Sequence, residues 1–157
     1  MESKAVRTIA AAGVTAGAMD ITAAMLAYDA KPLRILQSIS SGLLGRAAYE
    51  GGIPTGVLGL LLQFVIATGA AAVFYLAARV LPVLGRRAVP CGLAYGVLVY
   101  FVMRYGVLPL SRVTLGPFSW ELLIKGVLIH AFCVGLPIAL VTRRLSRPAA
   151  VTVLEAA

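Results

Sequence analysis

The longest uncharged stretch of the chain runs from Gly51 to Ala78 and reads GGIPTGVLGLLLQFVIATGAAAVFYLAA. Its 28 residues exceed the roughly 20 that an α-helix needs to cross about 30 Å of hydrocarbon. A buried helix of a small soluble domain does not require so long an apolar run. The stretch therefore predicts a transmembrane helix at about 55–78.

Three further apolar stretches have similar lengths, and each is interrupted by few polar residues. The first contains Asp20, the second contains Arg104, and the last contains Glu121, Lys125 and His130. Four such runs in one short chain predict four transmembrane helices. Besides 55–78, we place them at about 8–28, 89–108 and 120–141.

The composition agrees with a membrane location. Of the 157 residues, 61% are hydrophobic and 13% are charged, whereas a soluble domain carries about 25% charged residues. The formal net charge is +8, but the basic residues stand at the ends of apolar stretches, as in membrane proteins. We expect the lipid bilayer, and not nucleic acid, as the main partner. The length predicts a single membrane domain, 1–157.

The first apolar stretch has an alternative interpretation. Lys4 and Arg7 precede a run of small residues that includes Ala16-Gly17-Ala18, which is also the pattern of a signal peptide with a cleavage site. The run is poor in leucine, however, and its apolar character continues to Tyr28. We therefore predict a retained first helix, one that inserts less readily than the other three because of its Ala, Gly and Asp content.

The distribution of Lys and Arg predicts the orientation. With four spans, the N-terminus, the 79–88 connection and the C-terminus share one side of the membrane, which carries eight basic residues. The other side carries four, at Lys31, Arg34, Arg46 and Arg112. The positive-inside rule then places both termini in the cytoplasm.

The segment 32–49 predicts a short amphipathic helix at the outer membrane–water interface. Pro32 suits the first turn of a helix. Apolar residues then recur at steps of three and four, which is the helical period. These residues are Leu33, Leu36, Ile39, Leu43 and Ala47. The helix would either cap the bundle as a packing element or act as a gate.

Small residues mark the faces on which we expect the four spans to pack. Lipid gives apolar helices no hydrophobic reason to associate, so small side chains that allow close backbone approach indicate the contact faces. The predicted packing glycines are Gly13, Gly17, Gly56, Gly59, Gly92, Gly96 and Gly126.

Each span also carries a polar residue on its small-residue face: Asp20, Gln63, Arg104 and His130. At about 1.5 Å of rise per residue, Asp20, Gln63 and His130 lie near the bilayer midplane and Arg104 lies nearer the outer surface. Charged groups at this depth pair, stay neutral or line water. We predict that the four form one internal polar cluster, which would serve either as a proton relay or solute site, or as hydrogen-bonding contacts between helices.

Motifs for enzymatic chemistry are absent from the sequence. His130 and Cys133 supply two metal ligands at most, fewer than a zinc site needs, and Cys91 stands apart. The SGLLG run at 41–45 lacks the Lys of a phosphate loop. We therefore predict no metal and no cofactor, and an enzyme is unsupported. Glu121 and Lys125 have the spacing of a local ion pair.

The second half of the chain resembles the YagU-like family of small bacterial inner-membrane proteins, which have no established biochemical activity. The resemblance covers about 57–145. It rests on the runs FY at 74–75, LPVL at 81–84 and LPL at 108–110, and on Trp120-Glu121 leading to His130. It implies a bacterial plasma membrane and the shared position of His130, and it names no substrate.

These observations together predict an all-α integral membrane protein, a four-helix bundle with one external interfacial helix. The function that the polar cluster favours is small-solute or proton-coupled transport, with oligomerisation enlarging the site. The alternative is a non-catalytic accessory or assembly subunit, which would use its glycine faces to bind a larger membrane complex.

Overall fold

The computed structural model describes residues 2–28, 30–114 and 116–146, and every regular element in these ranges is a helix. The predicted all-α class is therefore confirmed. Residues 147–157 of the predicted domain, including Arg147, lie outside the described ranges. The helices are α1 (Glu2–Ala27), α2 (Pro32–Leu44), α3 (Gly52–Val80), α4 (Pro82–Arg86), α5 (Ala88–Leu110) and α6 (Trp120–Ser146).

Four of these helices are long and apolar enough to cross a membrane, as the sequence predicted. They cover Lys4–Ala27, Gly52–Val80, Ala88–Leu110 and Trp120–Ser146. The shortest has 23 residues, which corresponds to about 35 Å of helix. Each extends a few residues beyond the predicted span at one or both ends.

The long helices pack in two antiparallel pairs. Helix α1 pairs with α3, α5 pairs with α6, and contacts between α1 and α6 join the pairs. Helices α3 and α5 approach each other only sparsely. Small side chains fill the junction, so the helix backbones lie close together. The buried cluster there consists of Ala12, Ala16, Ala71, Phe74, Ala88, Val134, Ile138 and Ala139.

The seven predicted packing glycines all lie where another element comes close. A Cβ atom on Gly59 would overlap the backbone carbonyl of Leu36, and one on Gly96 would overlap the carbonyl of His130. The remaining close neighbours are Thr68 for Gly13, Phe64 for Gly17, Leu33 for Gly56, Ala139 for Gly92 and the Tyr100 ring for Gly126.

Helix α2 packs against the first turns of α3, and its buried face differs from its apolar stripe. Leu33 and Leu43 of the stripe stay exposed, whereas the side chains that the helix buries are Ile35, Gln37, Ser40 and Ser41. The regular α-helix ends at Leu44, and a 3₁₀ helix follows over Gly45–Tyr49. The polar side chains turn inward because they find hydrogen-bond partners within the protein.

Two hydrogen bonds hold α2 in place. Gln37 Nε2 donates to the carbonyl of Gly52 at 3.1 Å, and the backbone N–H of Arg112 donates to the carbonyl of Gly42 at 2.9 Å. The end of the long helices at which α2 and the 111–119 connection lie is called the α2 end below, and the opposite end is called the α4 end.

The contact between α2 and α3 predicts a sharp difference between two glycines of α3. Gly59→Ala places a methyl group on the backbone of Leu36, so we expect overpacking to cost about 1–3 kcal/mol of unfolding free energy. Gly69→Ala is the matched control, because nothing lies within 4 Å of its added Cβ. Thermal unfolding in detergent should show a lower Tm for the first variant only. Equal Tm values would contradict the close contact.

Candidate functional site

The site begins with a hydrogen bond between the two antiparallel helices of the first pair. Gln63 Nε2 on α3 donates to Asp20 Oδ2 on α1 at 2.7 Å, and the Gln63 side chain is buried. The second carboxylate oxygen of Asp20, Oδ1, is also buried and has no hydrogen-bond partner among the described residues. One oxygen of this half-buried carboxylate is therefore left without a donor among the described residues.

His130 lies on α6 beside the same space. Its Nδ1 is 3.0 Å from the carbonyl of Gly126, and since a carbonyl only accepts, this contact requires the proton on Nδ1. The imidazole also packs edge-on against the Tyr100 ring of α5, with a centroid distance of 5.4 Å. This arrangement leaves Nε2 free to exchange a proton or to bind a donor.

The space between α3 and α5 forms the central cavity, of about 390 Å³. Asp20, Gln63, Arg104 and His130 all line it, so all four predicted cluster residues meet one cavity. Aliphatic residues make much of the remaining wall, and α2 covers the α2 end of the cavity with Ser38, Ile39 and Gly42. A second space of about 300 Å³, the side cavity, shares Asp20, Gln63 and His130 with it.

Arg104 lines the central cavity without joining the hydrogen-bonded group. No ion pair or hydrogen bond of its guanidinium occurs with any described residue, so no Arg104 nitrogen lies within 4.0 Å of an Asp20 oxygen. Arg104 is one helical turn, about 6 Å, nearer to the α2 end than Tyr100. The structure thus brings Asp20 and Gln63 into contact and keeps Arg104 apart from them.

A third space of about 300 Å³, the entrance cavity, lies between α5, α6 and the connection before α6. Tyr28, Tyr100 and Arg104 line both this cavity and the central one. Partial burial, then the nearby Tyr100 and Asp20, raise the pKa of the Tyr28 phenol. The phenol therefore stays neutral near pH 7, and Arg104 is the charged group of the shared wall.

Two prolines determine the local backbone that carries Arg104 and His130. Helix α5 is a π-helix over Met103–Val107, and α6 is one over His130–Gly135. Pro109 and Pro137 follow these segments. A proline lacks an N–H and its ring clashes with the carbonyl four residues earlier, so the preceding turn widens. Such π segments occur frequently at functional sites.

Sequence reasoning did not identify several residues of the cavity walls. Tyr100 and Tyr28 contribute aromatic surface to these walls. A separate contact that was not predicted is made by Lys125. Its Nζ donates to the carbonyl of Ala27 at 3.2 Å, in addition to its predicted ion pair with Glu121. The available signals were the four-residue step from Gly96 to Tyr100 and Arg104, and the two prolines. The tertiary bond of Lys125 had no sequence signal.

The described residues contain no group of three or more His, Cys, Asp or Glu side chains arranged to hold a metal ion. Cys91 and Cys133 are free thiols. The chain matches no family model, no curated protein and no solved structure. The resemblance to the YagU-like family stays a prediction.

The bond between Asp20 and Gln63 predicts a non-additive pair of substitutions. Gln63→Leu removes the only donor that the described residues offer to the half-buried carboxylate, so we expect a loss of about 1–3 kcal/mol of unfolding free energy. The double variant Asp20→Leu/Gln63→Leu removes both polar partners, and it should lose less than the single Gln63→Leu variant. Chemical unfolding of both variants measures the difference, and a loss in the double variant as large as that of Gln63→Leu or larger would contradict the prediction.

Proposed function

We propose that this chain is a four-span protein of the bacterial plasma membrane, with both termini in the cytoplasm, and that its central cavity is a permeation site for a small solute. In this proposal Asp20 holds the solute and exchanges protons together with His130. The carrying observation is the buried Asp20 Oδ1, which has no partner among the described residues and belongs to a residue that lines the cavity.

The energetic argument for a ligand starts from this oxygen. A buried polar atom without a partner costs about 1–3 kcal/mol, and more when it is charged. Within a hydrocarbon environment water does not readily supply the missing bond. Either a proton on the carboxyl group or a hydrogen-bond donor of a bound solute removes this cost. Both belong to a transport cycle in which the occupant of the site changes.

His130 supports the proton-coupled part of the proposal. An imidazole is a common group in proton relays because it can both accept and donate a proton. The Nδ1 bond to Gly126 leaves Nε2 available, and His130 shares both the central and the side cavity with Asp20. A proton taken up by one residue therefore changes the electrostatic potential at the other residue, because both line the same cavities.

The two ends of the cavity differ, as an alternating-access site requires. Toward the α4 end, the Tyr95 hydroxyl of α5 donates to the carbonyl of Ala70 on α3 at 2.7 Å. The Tyr95 ring also packs edge-on against Phe74, with a centroid distance of 5.0 Å. These contacts join α3 and α5 beyond the cavity. Passage to the α4 end therefore requires α3 and α5 to separate at Tyr95.

The alternative function, an accessory subunit that binds a complex through its glycine faces, has less support. All seven predicted packing glycines contact other parts of this chain, so none of them offers a free groove to a partner. An oligomer remains part of the transport proposal, because a second copy would add wall to cavities that are open at their sides.

Flux measurements in liposomes test the proposed function. We expect Asp20→Asn and His130→Ala to reduce the proton flux driven by a pH gradient to the level of protein-free liposomes. Each substitution removes a proton-exchanging group from the cavity. Glu50→Gln is the matched control, since it removes a carboxylate from an exposed position at the α2 end. Asp20→Asn and His130→Ala must both keep the wild-type circular dichroism spectrum. Wild-type flux in folded Asp20→Asn and His130→Ala would refute the proposal.

A further inference from the structure

The central cavity contains two groups of opposite charge that do not meet. Asp20 contributes a carboxylate with one buried, unpartnered oxygen, and Arg104 contributes a guanidinium that bonds to no described residue. An unpaired charge away from water is costly, so opposite charges that share a cavity are expected to pair. Here the helix positions hold them apart on the wall of one cavity.

The distance between the two charges follows from the helices that carry them. The carboxylate lines the same cavity as His130 and Tyr100, whose rings are in contact. Arg104 follows Tyr100 by one turn, about 6 Å toward the α2 end. Met103 lines the cavity between these levels, and Val99 adds apolar wall beside Tyr100. The cavity is therefore negative at depth, apolar along its wall and positive near the entrance cavity.

We propose, resting on the permeation function above, that the solute is a small zwitterion whose ammonium and carboxylate groups are separated by a short apolar segment. The ammonium group donates to Asp20 Oδ1, and the carboxylate lies against the guanidinium of Arg104. The methylene groups between them contact the aliphatic wall. Each charge of the solute then meets a protein charge that has no other partner.

Solutes of other charge types fit this arrangement less well. A simple cation that binds Asp20 leaves Arg104 unpaired and must pass it on the way from the entrance cavity. A simple anion meets the Asp20 carboxylate at the end of the same path. A neutral solute leaves both protein charges without an opposite charge. Arg34 does not replace Arg104. Its guanidinium lies over the Tyr49 ring, 5.0 Å from the centroid, and Arg34 lines the side cavity but not the central cavity.

Binding of a matched set of probes to the full-length protein in nanodiscs tests this inference. The set comprises glycine, β-alanine, γ-aminobutyrate and 5-aminovalerate, together with butylamine and butyrate, which each carry one of the two charges. Isothermal titration calorimetry measures the affinities. We expect a longer ω-amino acid to bind at least about tenfold more tightly than glycine, butylamine or butyrate, because only it reaches both protein charges.

Variants assign each charge of the solute to a protein residue. In Arg104→Gln, the ω-amino acid should bind no more tightly than butylamine, and in Asp20→Asn it should bind no more tightly than butyrate. Arg112→Gln and Glu50→Gln are the matched controls, because both residues are exposed at the α2 end and line neither the central nor the entrance cavity. These two variants should retain the wild-type order of affinities.

The possible outcomes separate the inference from the proposed function. Equal affinities for butylamine and the ω-amino acids, unchanged in Arg104→Gln, would overturn the zwitterion and leave a cation-binding permeation site. Tighter binding of butyrate, unchanged in Asp20→Asn, would overturn it in favour of an anion site. If no probe binds, the zwitterion is wrong, while flux driven by a pH gradient in liposomes still decides the proposed function independently.

Discussion

Close contact between helix backbones is the constraint on which the rest of this structure depends. At Gly96 and Gly135 the backbones of α5 and α6 approach so closely that no β-carbon fits between them, and Gly13 brings α1 equally close to α3. Helices packed this tightly in pairs have little freedom to rotate or slide. Space remains at the looser boundary between α3 and α5, and the central cavity lies there.

The polar residues of the site depend on this packing in two different ways. Gln63 reaches Asp20 because α1 and α3 are antiparallel and in close contact, so that residues at equal depth face each other. Arg104 and His130 lie instead on helices that widen into π segments before Pro109 and Pro137. Both residues line the cavity from these segments, and such segments are frequent at functional sites.

Helix α2 shows what a periodic pattern leaves out. Its apolar residues recur with the helical period, which predicted an interfacial helix with an apolar face. The structure packs the helix across α3 at Gly56 and Gly59 and buries Gln37, Ser40 and Ser41. The periodic pattern reflects only how strongly each side chain prefers an apolar environment. It does not count the hydrogen bonds that Gln37 and the 111–119 connection offer to this helix.

The sequence by itself determined the all-α class, the four long apolar helices, the small-residue faces and four polar residues that line the cavity. These properties follow from local constraints: the length of a run, the helical period and the cost of placing a polar group in hydrocarbon. Only the tertiary structure decided that Asp20 bonds to Gln63 and not to Arg104, that α3 and α5 stand apart, and that Lys125 reaches the end of α1. These features depend on which helices meet and how they cross, and residue spacing along one helix indicates its packing face but does not identify the helix packed against that face.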